Sequence, residues 1–172
     1  MLIFSLIAAS IVAIFVSVAN AYQKAKAITF VKDNADLTLS KMAKNVRMGK
    51  IISGDGSWQN YLIVQRNKDQ VLVCYKFTDD HTLSVFNNLN KDTPTDCLSG
   101  DSGRVLLDLG NTQMTFGSNS GFYARMTDSQ VRGSAEINLE INSNTEQEMS
   151  ADKIEVQTTV SSRDYGWLEM SQ

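Results

Sequence analysis

Residues 2–19 of the chain, LIFSLIAASIVAIFVSVA, contain only Leu, Ile, Phe, Val, Ala and Ser. Extended through Ala21 the run makes a helix about 30 Å long at about 1.5 Å per residue, the thickness of a bilayer's hydrocarbon core. The pattern therefore predicts a membrane-spanning helix. A helix that is apolar on every side can also be the core of a large protein, but the rest of this chain is too short to surround one. Ala19-Asn20-Ala21 has the small-x-small form of a signal-peptide cleavage site. The apolar run is longer than a usual signal core, however, and the sequence after it stays helical, which favours an uncleaved anchor.

From Tyr22 the pattern becomes amphipathic. Ile28, Val31, Ala35, Leu39, Met42 and Val46 recur at steps of three and four, one face of a helix, while Lys24, Lys26, Lys32, Asp33, Asp36, Lys41, Lys44 and Arg47 fall largely elsewhere. No helix breaker lies between Leu2 and Arg47, so one continuous helix is expected, ended by Gly49 and the Ser-Gly-Asp-Gly-Ser run at 53–57. Three segments follow from this reading: an apolar half-helix at 1–21, an amphipathic half at 22–52, and a β-rich domain at 53–172.

The β-rich part is read from alternation and turn residues. Tyr61–Arg66, Val71–Phe77 and Thr82–Phe86, separated by polar turns, predict a three-strand antiparallel meander. Arg104–Leu109 and Gln113–Phe116 flank Gly110-Asn111, a hairpin signal, and Phe122–Met126, Ala135–Ile141 and Ile154–Val160 complete the set. In Ala135–Ile141 the side chains of Ile137, Leu139 and Ile141 share one face, and Glu136, Asn138 and Glu140 share the other. Such a strand has one dry side, able to lie on the apolar face of the helix. The fold class expected is α+β, a long N-terminal helix packed on an antiparallel sheet.

Composition narrows the function. The 172 residues carry 16 basic and 19 acidic side chains, a net charge of -3, scattered along the chain, so there is no clear nucleic-acid site. His81 is the only histidine and sits in a polar turn, which leaves a Ser-His-Asp hydrolase without a favoured base. Neither a zinc-ligand cluster nor a phosphate-binding loop occurs. Asp92 and Asp96 lack the ligand order of a calcium loop. We therefore expect no enzyme activity, no cofactor and no metal. Cys74 and Cys97 are the only cysteines; in an exported domain an even count points to one disulfide rather than two free thiols, contributing roughly 3 kcal/mol.

In the apolar half, Ser5, Ala9, Ala13, Ser17, Ala21 and Ala25 are small and recur at steps of four. Where small side chains line a helix in lipid, backbones approach closely, so this ridge is a candidate contact for neighbouring helices.

The order of parts now matters. An apolar helix runs into an amphipathic one through Ala-Tyr-Gln, continues as Leu37-x-Leu39-x-x-Met42-Ala43-x-x-Val46-Arg47, and leads to a cysteine-bearing β-domain that closes on Gln157-Thr158-Thr159-Val160-Ser161-Ser162-Arg163. This layout resembles the type IV pilin and pseudopilin superfamily along the whole chain, through loose motifs, and Ile3-Phe4-Ser5-Leu6 looks like the middle of a pseudopilin helix. The resemblance implies a minor pilin or pseudopilin of a type IV pilus, a competence pilus or a secretion pseudopilus. Such a subunit is processed by a prepilin peptidase, held in the cytoplasmic membrane with its domain outside, and assembled by dedicated machinery with copies of itself or other pilin-like subunits.

The family's diagnostic leader, with its Gly, and its early aromatic residue and Glu do not occur in this sequence, and the resemblance places them upstream of Met1. Lys24 and Lys26 alone, by the positive-inside tendency, would hold the β-domain in the cytoplasm; a basic leader would reverse this. The alternative is a single-pass anchored binding protein or adhesin that uses its sheet and Tyr165-Gly166-Trp167 to contact a ligand.

Overall fold

The computed structural model describes residues 2–66, 70–79, 81–89, 103–110, 114–127, 132–143 and 153–162. The fold is α+β. Helix α1, Leu2–Arg47, is unbroken over 46 residues, with Lys44 and Arg47 in its last turn where cations complement the helix dipole. Among the described residues ten strands follow: β1 Gly49–Ile51, β2 Asp55–Gln59, β3 Tyr61–Arg66, β4 Leu72–Phe77, β5 Thr82–Leu89, β6 Arg104–Asp108, β7 Met114–Phe116, β8 Gly121–Arg125, β9 Ser134–Ser143 and β10 Lys153–Ser161. The chain divides into two compact units, Met1–Asn34 and Ala35–Gln172, so the division falls inside α1.

In the second unit all strand pairs are antiparallel. One sheet has the order β1-β3-β4-β5-β6; the other runs β10-β9-β8-β2, with β7 also on β9. The expected β3-β4-β5 meander is present. The expected hairpin at Gly110-Asn111 is not: β6 pairs with β5 and β7 with β9, so the connection carries the chain from one sheet to the other. Gly49 and residues 55–57, read from sequence as punctuation, lie in strands β1 and β2. Gly49 belongs there because a Cβ would lie 2.6 Å from Val64 Cγ1 and 2.9 Å from the Asn45 carbonyl oxygen, too close for any other residue.

The first sheet buries both faces. Leu62, Tyr75 and Val85 lie in cross-strand register on one face, and Ile63, Cys74 and Phe86 on the other. The first of these faces meets the end of α1: Asn45 Nδ2 donates to the Tyr75 hydroxyl at 2.5 Å, and Thr38 Oγ1 donates weakly to the Leu106 carbonyl at 3.4 Å. Of the predicted helix face, Val31, Ala35, Leu39, Met42 and Val46 are buried and Ile28 is half-buried. Burial pushes the Tyr75 hydroxyl above its ordinary pKa, and the bond from Asn45 moderates the rise.

The second sheet contributes Phe122, Ile137, Leu139 and Ile141, all fully buried. Phe77 of β4 joins the two sheets, with its ring centroid 5.0 Å from that of Phe116 and 5.2 Å from that of Phe122. Backbone bonds close the seam as well. Thr127 N donates to the Ile51 carbonyl at 3.0 Å and Ile51 N donates to Thr127 Oγ1 at 3.1 Å. These bonds satisfy buried polar groups at the edge of β1 that would otherwise be costly to desolvate.

The opposite face of β9 is wet only at Glu136, which is half-buried, where alternation suggests a wet face throughout. Asn138 and Glu140 are 8% and 6% exposed. The turn at 117–120 covers them, because Ser120 Oγ accepts from Glu140 N at 3.0 Å and donates to the Glu140 carbonyl at 2.8 Å.

Candidate functional site

The first unit offers a surface rather than a pocket. Ile3, Phe4, Ile7, Ile11, Val12, Ile14, Phe15, Val16 and Val18 are all exposed, Phe4 and Phe15 by 78% and 76%. At about 100° per residue the large apolar side chains at 11, 12, 14, 15, 16 and 18 cover about 200° of the circumference and the small Ala9, Ser10, Ala13 and Ser17 the rest, so no side of it is charged. At about 1.5–3 kcal/mol per large apolar side chain, leaving nine of them in water costs on the order of 15–25 kcal/mol. That exceeds the net stability of an ordinary domain, so removing this surface from water would be strongly favourable. The helix is long and apolar enough to cross a membrane, and none of its apolar window is buried. Its backbone groups are bonded within the helix, as a lipid environment demands.

Of the predicted ridge, Ala9, Ala13, Ser17, Ala21 and Ala25 are exposed; the side chain of Ser5 lies outside the described residues. A step of four residues advances about 400°, so the ridge turns by about 40° per step and traces a path inclined to the axis. Ridges of this kind interlock when helices cross obliquely. Further along α1, Phe30 and Leu37 are 62% and 54% exposed. By the same angular count they lie opposite the buried face of Ala35, Leu39, Met42 and Val46.

The other sequence candidates fall as follows. Cys74 is fully buried and disulfide-bonded; the one other cysteine in the sequence, Cys97, lies outside the described residues. His81 N donates to Asp79 Oδ1 at 2.8 Å, closing a local turn, and this bond is the main reason the Asp79 carboxyl sits below its ordinary value. Asp92, Asp96 and Trp167 lie outside the described residues. Among the described residues no group of three His, Cys, Asp or Glu side chains is placed to hold a metal ion.

One feature was not singled out from the sequence. On the outer face of the second sheet an open cleft of about 550 Å³ is lined by Trp58, Gln59 and Asn60, by Ser118, Asn119, Ser120 and Gly121, and by Asn138. Trp58, 52% exposed, pairs in register with Tyr123, their ring centroids 5.9 Å apart. On β9 and β10, Lys153 Nζ lies 3.0 Å from Glu140 Oε2.

No family model, no curated protein and no solved structure matches this chain.

The Glu140 site makes a prediction about pH. The hydrogen bond from Lys153, followed by those from Asn142 and Asn119, holds the Glu140 carboxyl below its ordinary value of 4.5. A depressed carboxylate contributes stability that is present above the ordinary value and lost as pH falls through the depressed one. Between about pH 6 and about pH 3 the melting temperature of the native chain should therefore drop more steeply than that of Glu140→Gln, and parallel curves would remove the site from the acid response.

Proposed function

We propose that this chain is a non-catalytic structural subunit, a minor pilin or pseudopilin, anchored in the cytoplasmic membrane by the first half of α1 and assembled through that helix into a pilus or a secretion pseudopilus. The observation that carries the reading is the apolar surface of α1, unburied on every side and continuous with an amphipathic half whose one face serves as the core of a β-domain. A simple anchor requires only the apolar run. Three further features support assembly: the small-residue ridge, the unbroken continuation of the helix, and exposed Phe30 and Leu37 opposite the domain's core, where a neighbouring helix would find apolar contacts. The partners in this reading are copies of the chain or other pilin-like subunits, with a prepilin peptidase and an assembly apparatus acting on it. The β-domain lies outside the cytoplasm.

Alkaline extraction tests the anchor. The native chain should stay with the membrane pellet, and a variant with Val12→Lys and Val16→Lys should be released, since each central Lys costs about 2.5–3.5 kcal/mol of insertion. Release of the native chain would exclude both anchor and filament.

A further inference from the structure

We propose that the cleft between β2, the 117–120 turn and β9 binds a neutral oligosaccharide, with Trp58 as the platform for a pyranose ring. The proposal does not depend on assembly of the helix and is tested separately from it.

The lining chemistry selects the ligand. None of the eight residues around the cleft is charged. A phosphate or sulfate group would lack a cationic partner there, and a nucleic acid would lack its phosphate contacts. What the walls present is a set of amides and hydroxyls that both donate and accept, around one half-exposed indole. Sugars combine these two demands: hydroxyls at the ring edge, and C–H groups on a face that can lie on an aromatic ring. The volume falls within the range of small-molecule sites, about 300–1,000 Å³.

The cleft is also built rather than incidental. The 117–120 turn is fixed by Ser120, which bridges the N–H and carbonyl of Glu140, and by Asn138 Nδ2, which donates to the Asn119 carbonyl at 3.1 Å. A wall already held in place adds little ordering cost on binding. Asn138 Oδ1, in a side chain that is more than nine-tenths buried, has no hydrogen-bond partner among the described residues. That oxygen is shielded from solvent, so it lies behind the cleft wall rather than on the surface a ligand meets. Gly121 lets the indole pack closely on β8: a Cβ there would stand 3.3 Å from Trp58 Cε3 and 3.2 Å from the Gln59 carbonyl oxygen.

The test is isothermal titration of the full chain, in a detergent without a sugar head group, with cellotetraose and with triacetylchitotriose. At least one should bind with a Kd of about 1 mM or tighter. Trp58→Ala should weaken that binding about tenfold and Trp58→Phe less. Ser118 is exposed, so Ser118→Trp should block the cleft while leaving the melting temperature unchanged, which guards against misfolding of the Trp58 variants. The proposal is overturned if neither probe binds, or if binding survives both Trp58→Ala and Ser118→Trp. It is equally overturned if a sulfated heparin tetrasaccharide, or an extended Thr-Val hexapeptide adding a strand at β2, binds more tightly than either neutral sugar.

Discussion

Replacing Ala9 and Ala13 together by Leu should remove the chain from surface filaments while leaving it in the membrane. Both side chains are exposed on the ridge of α1, and both changes increase apolar character, so insertion is not impaired. What changes is how near another helix can come. Each Leu adds three carbons where the close approach of backbones depends on small groups, and forcing extra carbons into a packed contact costs about 1–3 kcal/mol per site. Two sites therefore cost about 2–6 kcal/mol per subunit, a loss of about 30-fold to about 20,000-fold in an assembly equilibrium. Immunoblots of sheared surface material and of membranes measure the two populations. Ile11→Leu, off the ridge and equal in volume, should leave both unchanged. If the Ala variant assembles as well as the Ile11 variant, the ridge is not a contact.

Phe122→Ala should be the most damaging single change to the β-domain. Phe122 is fully buried on the inner face of the second sheet, and its ring meets that of Phe77 from the first. Truncation removes transfer energy and leaves a cavity at the place where the two sheets join, and such losses run to about 3–5 kcal/mol. For a unit of this size that lowers the melting temperature by roughly 10 °C. Because the seam also holds Thr127 against Ile51, amide exchange at Ile51 and Thr127 should accelerate with it. Unchanged exchange there would mean that the two sheets are stabilised independently.

Much of this architecture was legible from pattern. The apolar and amphipathic halves of α1, its end near Arg47, and strands β3, β4, β5, β8, β9 and β10 follow from hydrophobic period and turn residues, which are local properties. The failures were non-local. Gly49 and the residues of β2 read as turns because glycine usually marks one, whereas Gly49 sits in a strand because Val64 and Asn45 leave no room for a Cβ. Gly110 signals a turn, but nothing near it specifies whether the next strand returns to β5 or crosses to β9. Asn138 and Glu140 alternate as a wet face should; only the docking of the 117–120 turn dries them. The cleft was illegible for the same reason, since its walls come from residues 58–60, 118–121 and 138, brought together by pairing of β2, β8 and β9. The helix surface, in contrast, is contiguous in sequence and could be read directly.

The central claim is that α1 serves assembly as well as anchorage. Helical reconstruction by electron cryomicroscopy of filaments sheared from the native cells tests it most directly. The account predicts filaments containing this chain, with residues 2–21 in a bundled core, Ala9 and Ala13 at helix crossings, and the β-domain on the outside. Filaments that lack the chain, while it is recovered as a monomer from the membrane fraction, would contradict it.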